Sequence, residues 1–175
     1  PQRSPTPTQQ EPFHTMYLTL SDQAQSASIP PERLHAKVTS TVMGNLAANF
    51  VTVSRTSPGP ASVPVTSVLD NLVHDTGSAV LLIAFQLDAG KGEPEVRRYV
   101  EARAPALARH GGKVLLSGLT PRRDGWQYDG FELVQFPAPD TIRTLMGDPE
   151  YRTPSIQELS KIFTGSFAML HVAVS

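Results

Sequence analysis

Three side chains capable of chemistry lie on one stretch of the chain at helical spacing. Tyr99, Arg103 and His110 follow a helix-start pattern, Glu93-Pro94-Glu95, and precede the glycine pair 111–112, which is typical of a helix end. At 3.6 residues per turn, Arg103 and His110 share a stripe with apolar residues, and Tyr99 borders it. A buried arginine requires an anion, and a histidine can exchange a proton near neutral pH. The stretch therefore predicts a site for an anionic small molecule or for acid–base catalysis.

The same residues also have a purely structural interpretation. The Arg103 stem could pack along the helix while its charged end reaches an edge. His110 could stabilise the helix C-terminus through the helix dipole. Both placements are common on ordinary helices, so the sequence leaves the two interpretations open.

A second group of residues is predicted to bind a ligand beside that helix. Glu132 alternates with Phe131 and Leu133 in a strand pattern, so its carboxylate points away from theirs, into a cavity beside Arg103 or His110 or out to solvent. Tyr151 follows a helix start and is expected in the core or a cavity wall. Its position makes it a candidate ligand-binding residue.

Three further candidates lie outside the helix. Trp126 and Tyr128 occupy the loop before the Glu132 strand, where they could cover an aromatic ligand or pack at a subunit edge. His171 lies in the last strand pattern and could face the cavity and bind haem or a metal. A histidine satisfied within the sheet is the alternative.

Metal and cofactor motifs are not found in the sequence. The chain has no cysteine, and no two of its five histidines have metal-binding spacing. No phosphate-binding loop, dinucleotide fingerprint or nucleophile elbow is present. We therefore expect no metal and no cofactor; haem is a conceivable ligand without support in the sequence.

Composition narrows the classes of partner. The net charge is −1 with both signs interspersed, which argues against nucleic-acid binding and against a polybasic membrane anchor. The longest apolar run is far shorter than the roughly 20 residues that a membrane-spanning helix needs. The compartment stays unknown: the cytoplasm is slightly favoured, and an exported form stays open because the first residue is Pro1 rather than Met.

The elements that would position these residues divide the chain. Residues 1–12 are proline-rich and predict a flexible lead-in. Residues 13–75 predict an extension of strand, helix and loop, with a short strand at 14–20, a helix from Pro30 to Asn49, a strand at 50–54 and a short helix at 65–73. The long helix rests on Leu34, Val38, Val42 and Leu46, which recur every four residues.

Residues 78–175 predict one compact unit with the order β-α-β-β-α-β. Its strands are expected at 79–87, 113–119, 131–136 and 167–174, its first helix at 93–110, and shorter helices from 139 and 148. This is a ferredoxin-like α+β unit. Because such a sheet leaves one apolar face open, we expect it to pair with a second copy as a homodimer, forming a dimeric α/β barrel.

Five short motifs resemble one known family. They are Tyr99-Val100-Glu101-Ala102, Pro105-Ala106-Leu107, His110-Gly111-Gly112-Lys113, Phe136-Pro137 and Asp148-Pro149-Glu150-Tyr151. In order and spacing, residues 79–174 resemble the domain-of-unknown-function family 1330 of the dimeric α/β-barrel superfamily. The resemblance implies a fold but no established activity, and the superfamily includes cofactor-free monooxygenases, isomerases and haem-handling proteins.

Two functions follow as hypotheses. The first is a small-molecule-binding protein that holds a partly apolar ligand in the barrel cavity. Whether that ligand is also anionic stays open. The second is a cofactor-independent enzyme of monooxygenase or isomerase type that uses Tyr99, Arg103 and His110. The sequence leaves open whether the protein is an enzyme, and a third alternative is that residues 13–75 fill the cavity.

Overall fold

The computed structural model describes residues 16–22, 32–55, 57, 59–73, 75 and 77–174. The predicted lead-in at 1–12 lies outside these residues. The elements in chain order are β1 Met16–Ser21, β2 Glu32–Met43, β3 Phe50–Ser54, β4 Val63–Asp70, β5 Ala79–Leu87, α1 Glu93–Arg109, β6 Lys113–Leu119, β7 Gly130–Phe136, α2 Thr141–Gly147, a 3-10 turn Pro149–Arg152, α3 Pro154–Ser160 and β8 Phe163–Val174.

The eight strands form one closed antiparallel barrel in the order β1-β3-β2-β8-β5-β7-β6-β4. The second half of the chain has the order β-α-β-β-α-β, so the predicted α+β fold with a ferredoxin-like unit in an α/β barrel is confirmed. The other half of the barrel wall comes from β1–β4 of the same chain, where the sequence predicted a second copy. Because the single chain closes the barrel, it has no open sheet face of the kind from which pairing with a second copy was predicted.

The two halves repeat one strand order. Around the barrel, β4-β1-β3-β2 is followed by β8-β5-β7-β6, so each half places its fourth strand beside its first and its third beside its second. The seams between the halves are the β2–β8 and β4–β6 ladders. At the second seam Gly118 lacks a Cβ where Val65 of β4 approaches, and an added methyl group would overlap that side chain.

The predicted helix at 30–49 is wrong, because its residues from 32 to 43 form β2. A spacing of four fits a helix, but four is also a multiple of the two-residue strand period. In the strand, Leu34 and Ala36 are buried, His35 between them is half-buried, and Lys37 is exposed. The β-branched residues of this stretch also favour a strand. The short helix predicted at 65–73 is also wrong, because residues 63–70 form β4.

Two apolar clusters lie on the two faces of the barrel wall. The inner cluster fills the barrel and takes residues from both halves, among them Leu18, Val53, Leu82 and Leu133. The outer cluster lies between β5, β6, β7 and the helices, with Leu81, Val134 and the buried stripe of α1. Because strand residues alternate between faces, each strand of the second half contributes to both clusters.

Helix α1 is held over the outer face by its ends. At its start the Glu95 carboxylate accepts the Gly92 N–H at 2.9 Å, and Pro94 fits the first turn. At its end Gly111 adopts φ +70, a conformation that glycine adopts without strain. Its buried face consists of Val96, Val100, Arg103, Ala106 and Leu107. Among the described residues, none of the helices has the length and apolarity needed to cross a membrane.

Candidate functional site

A row of outward-facing residues crosses the strands beneath α1. Glu132 of β7 lies opposite Ile83 of β5 on one side and opposite Ser117 of β6 on the other. Beyond Ile83 the row continues to Met169 of β8 and Met43 of β2. Side chains paired across strands lie about 5 Å apart, so the row is a continuous strip. It runs from Met43, which is 50% exposed, to Glu132, which is 2% exposed.

The buried end of this strip holds an ion pair. Arg103 reaches down from α1, and its Nη2 donates to Oε2 of Glu132, with each side chain only 3% exposed. Burial lowers the pKa of Arg103, but the Glu132 carboxylate and the neighbouring tyrosines together raise it by more, so the guanidinium stays charged. The structure thus brings together two candidates that the sequence placed on different elements.

Two tyrosines surround the guanidinium. The Arg103 guanidinium carbon lies 4.6 Å from the centre of the Tyr99 ring, a cation–π arrangement. Burial raises the pKa of Tyr99 well above its ordinary value, although the Arg103 charge acts in the opposite direction. The Tyr99 phenol therefore keeps its proton at neutral pH. Tyr151, half-buried on the 3-10 turn, interacts with the Tyr99 hydroxyl and contributes to that rise.

The polar atoms of this cluster are incompletely paired. Arg103 Nε, Glu132 Oε1 and Ser117 Oγ are buried and have no hydrogen-bond partner within the described part of the chain. An arginine and a carboxylate can form two parallel hydrogen bonds, but here only one is made. Each buried polar group without a partner costs about 1–3 kcal/mol. Such groups are typical of places where a water or a ligand completes the bonding.

A half-buried apolar surface lies on the same face as these atoms. Ile83, Phe167 and Met169 lie on the outer face and are only half-buried. The Phe163 ring lies 5.0 Å from Tyr99 and 5.7 Å from Phe167, edge-on and tilted respectively. This surface is therefore aromatic and aliphatic, and the buried Arg103–Glu132 pair lies at one end of it. We call this half-buried surface, from Met169 to the ion pair, the outer cleft.

His110 is not part of the outer cleft. It lies seven residues after Arg103, about 10 Å farther along the helix axis. Its Nε2 is 2.8 Å from Oδ2 of Asp148, which Arg109 also contacts at 3.1 Å. These bonds, the His110 bond above all, lower the pKa of Asp148 to about 2. His110 thus fastens the end of α1 to the segment after α2, and its catalytic role stays a prediction.

Trp126 and Tyr128 lie on the other face of the sheet from the outer cleft. Trp126 is 2% exposed and belongs to the inner cluster, and its Nε1 donates to Thr120 Oγ1 at 2.8 Å. The Tyr128 ring packs edge-on against it, 5.2 Å away. A cavity of about 180 Å³ beside Trp126 is lined by Leu20 and Arg123 among others. The structure therefore places both rings at a barrel end, away from Arg103.

His171 faces outward on β8, opposite Leu81. Its Nδ1 is buried and has no hydrogen-bond partner among the described residues. The neighbouring cavity holds about 200 Å³ and is lined by Thr39, Ser78 and Pro139 among others. This volume is below the range of about 300–1,000 Å³ that is typical of sites for drug-sized ligands. Within the described residues, no group of three or more histidine, aspartate or glutamate side chains could hold a metal ion.

A family model, Domain of unknown function (DUF1330), matches residues 83–161. The family resemblance predicted from the five motifs is confirmed for this segment. It contains Arg103, Glu132, Tyr99 and Tyr151, so the polar end of the outer cleft lies inside the matched segment. No curated protein sequence matches the chain.

Solved structures similar to the chain share the barrel fold across both halves. A candidate monooxygenase from Lactobacillus acidophilus NCFM has a TM-score of 0.52 at 10% identity, covering 91% of this chain and 92% of the other. A candidate monooxygenase from Fusobacterium nucleatum has a TM-score of 0.53 at 9% identity, covering 92% of each. A dimeric chlorite dismutase from Nitrobacter winogradskyi has a TM-score of 0.51 at 15% identity, covering 91% and 99%. At these identities the likeness shows the fold alone.

Sequence reasoning missed the residues that surround the ion pair. Ser117, Ile83 and Met169 are ordinary strand residues with no motif around them. The available signal was strand alternation combined with register, because Glu132 fixes which residues of its neighbours share its face. Register between distant strands is set by tertiary packing and could not be obtained from the sequence.

Proposed function

We propose that this protein binds a small, partly apolar molecule in the outer cleft, with its polar end at the Arg103–Glu132 pair. The observation that carries the proposal is the unfinished bonding of Arg103 Nε, Glu132 Oε1 and Ser117 Oγ at the end of a half-exposed apolar floor. A buried ion pair is a poor source of stability, since apolar residues of equal volume often serve the fold as well or better. Ligand recognition gives these polar groups a role that packing does not.

A thermal-shift screen of small aromatic and aliphatic compounds tests this proposal. A ligand at 100 times its dissociation constant adds about 2.7 kcal/mol to the free energy of unfolding, a readily measured shift. The matched variants are Met169→Trp, which fills the cleft, and Val73→Trp, which adds the same ring at a site that is 74% exposed. Hits that Met169→Trp loses and Val73→Trp keeps support the proposal. Hits that bind both variants equally contradict it.

A second candidate function is a cofactor-independent monooxygenase acting on the same ligand. It is favoured by the protonated Tyr99 phenol, which can donate a hydrogen bond to a developing oxyanion beside Arg103. The similar candidate monooxygenases agree with this reaction class. In the balanced reaction an activated CH2 group and O2 give a C=O group and water, the substrate supplying the electrons. Oxygen uptake with a cleft ligand, absent in Tyr99→Phe, is the expected result; no uptake with any cleft ligand rejects it.

Self-association is a separate proposal. One of the similar structures is a dimeric protein. The described surface also exposes Val42, Met43 and Met146 by about half, which a partner could cover. Light scattering should then give a mass near twice 19.0 kDa, and a mass near 19.0 kDa contradicts the homodimer.

A further inference from the structure

A groove on the other flank of α1 offers room for a small molecule. It holds about 340 Å³ and lies between α1, the start of β6 and the end of β4, at the seam between the two half-barrels. This volume falls within the range of about 300–1,000 Å³ that is typical of small-molecule sites. The outer cleft lies toward β5 and β8, whereas this groove lies toward β6 and β4, so α1 separates the two regions. We call it the seam groove.

Most of the lining of the seam groove is apolar. Val100 and Leu107 of α1 and Val114 of β6 are buried there. Ala104 and Ala108 are one helical turn apart and exposed, so two small side chains border the gap that larger ones would fill. A hydrocarbon group placed in the groove would remove this apolar surface from water, which is favourable.

One end of the groove carries a carboxylate without a partner. Glu101 lines the groove and is exposed, and within the described part of the chain its carboxylate forms no ion pair, not even with Arg98 one turn earlier. Lys113, the other charged residue of the lining, is paired with Asp75 at 3.3 Å. Glu101 and Ala108 are seven residues apart, about 10 Å along the helix axis, and Lys113 lies beyond Ala108. The uncompensated charge of the groove is therefore negative and is confined to one end.

We propose that the seam groove binds small apolar amines, with the ammonium group at Glu101 and the hydrocarbon body along Ala104 and Ala108. The ammonium group would donate a charge-assisted hydrogen bond to the carboxylate, and the hydrocarbon body would cover the apolar lining. Asn71, at the end of β4, adds a side-chain amide to the lining that can bond to a further polar group of the ligand. The seam groove shares no residue with the outer cleft, so this proposal stands apart from the function proposed above.

A nuclear magnetic resonance titration of the full chain with 3-phenylpropylamine tests the proposal, with 3-phenylpropionate as the matched compound. The two compounds share a ring and a chain of equal length and differ in the sign of their charge. The amine should bind about three- to ten-fold more tightly, because attraction to an exposed carboxylate is replaced by repulsion. The backbone amide signals of residues 100–108 and 112–114 should shift.

Three results of this titration overturn the proposal. They are equal or tighter binding of the carboxylate, no saturable binding of the amine up to its solubility limit, and shifts confined to other parts of the chain. A second copy of the chain in the groove would instead shift the same signals on dilution, with no ligand added. That result also overturns it.

A charge variant tests the role assigned to Glu101. Glu101→Gln should abolish the preference for the amine over the carboxylate. Because Glu101 is exposed, the fold should be unaffected, which circular dichroism checks. The matched control is Glu158→Gln, at a 71% exposed carboxylate on α3, which should keep the preference. A preference that survives Glu101→Gln shows that this carboxylate does not set it.

A filling variant tests the location. Ala104→Trp places a large ring in the groove and should weaken amine binding at least about ten-fold. Ala89→Trp, which adds the same ring in the exposed loop after β5, should leave binding unchanged. If Ala104→Trp does not fold, Ala108→Trp replaces it. Equal binding by the filled and control variants contradicts the groove. Loss of amine binding in Met169→Trp would place the ligand in the outer cleft instead.

Discussion

The two halves of the barrel have the same strand order and different contents. In the first half, β1–β4 contribute mainly to the inner cluster, and no helix occurs among its described residues. In the second half, β5–β8 contribute to the inner cluster and also support three helices on their outer face. The buried ion pair and its unpaired atoms lie under one of those helices. The shared strand order thus builds the wall, and the covering helix makes the site.

The largest effect is expected from breaking the ion pair in the second half. Arg103→Met should lower the free energy of unfolding by about 3–5 kcal/mol, because it leaves the Glu132 carboxylate buried without its partner. Urea denaturation measures this loss. The double variant Arg103→Met/Glu132→Leu should recover to within about 1 kcal/mol of the wild type. A double variant as unstable as the single one would show that the pair is needed for the fold itself.

The next largest effect is expected in the first half. Leu18→Ala removes a fully buried side chain from the inner cluster and should cost about 2–5 kcal/mol. Because that cluster joins both halves, the fluorescence of Trp126 should report the same transition as circular dichroism. Val42→Ala, at an exposed position, is the control and should stay within about 0.5 kcal/mol. Separate transitions would mean that the halves unfold independently.

A pH effect is expected where α1 is fastened to the segment after α2. The pKa of Asp148 is lowered to about 2 in the folded protein, mainly by His110. A carboxyl group with a lowered pKa contributes stability that is complete above its unfolded pKa of about 4 and is lost as the pH falls toward 2. Between these values the melting temperature should fall more steeply in the wild type than in Asp148→Asn. Asp124→Asn, in the loop before β7, should follow the wild type; parallel curves for all three proteins would contradict the assignment.

The smallest effect is expected from the other ion pair on α1. Arg97 contacts Glu93 one turn away at 2.6 Å, with both side chains 45% exposed. Arg97→Ala should change the free energy of unfolding by no more than about 0.5 kcal/mol. Measured beside Arg103→Met by urea denaturation, it isolates burial as the difference between two arginines of one helix. A loss as large as that of Arg103→Met would show that burial is not the cause.

The elements of the second half could be predicted from the sequence, whereas β2 and β4 of the first half were predicted as helices, for a physical reason. The segments from 79 to 174 are bounded by glycine and proline residues. The spacing of Val96, Val100 and Arg103 fits a helix and does not fit a strand. The spacing of Leu34, Val38 and Val42 satisfies both a helix and a strand, and only pairing with β3 and β8 decides between them. β8 is distant in sequence, so the local pattern carries no information about that pairing.

The candidate site shows the same division. Arg103, Tyr99 and Glu132 could be named because a charged residue in an apolar pattern is conspicuous. The contact between Arg103 and Glu132 depends on how α1 packs on β7, which the sequence does not show. The unpaired atoms depend on side-chain geometry that residue spacing does not encode. His110 was grouped with Arg103 because a helical stripe shows angular position but hides the distance along the axis.

Fusion of the two half-barrels into one polypeptide has a consequence for how the molecule can change. A barrel made from two identical subunits carries every substitution twice, at positions related by symmetry, so a change that favours one half must be tolerated by the other. Here β1–β4 and β5–β8 share a strand order but belong to one chain, joined by residues 71–78. Each half is therefore free to vary alone. One can keep the duties of a scaffold while the other specialises, which a symmetric assembly does not permit.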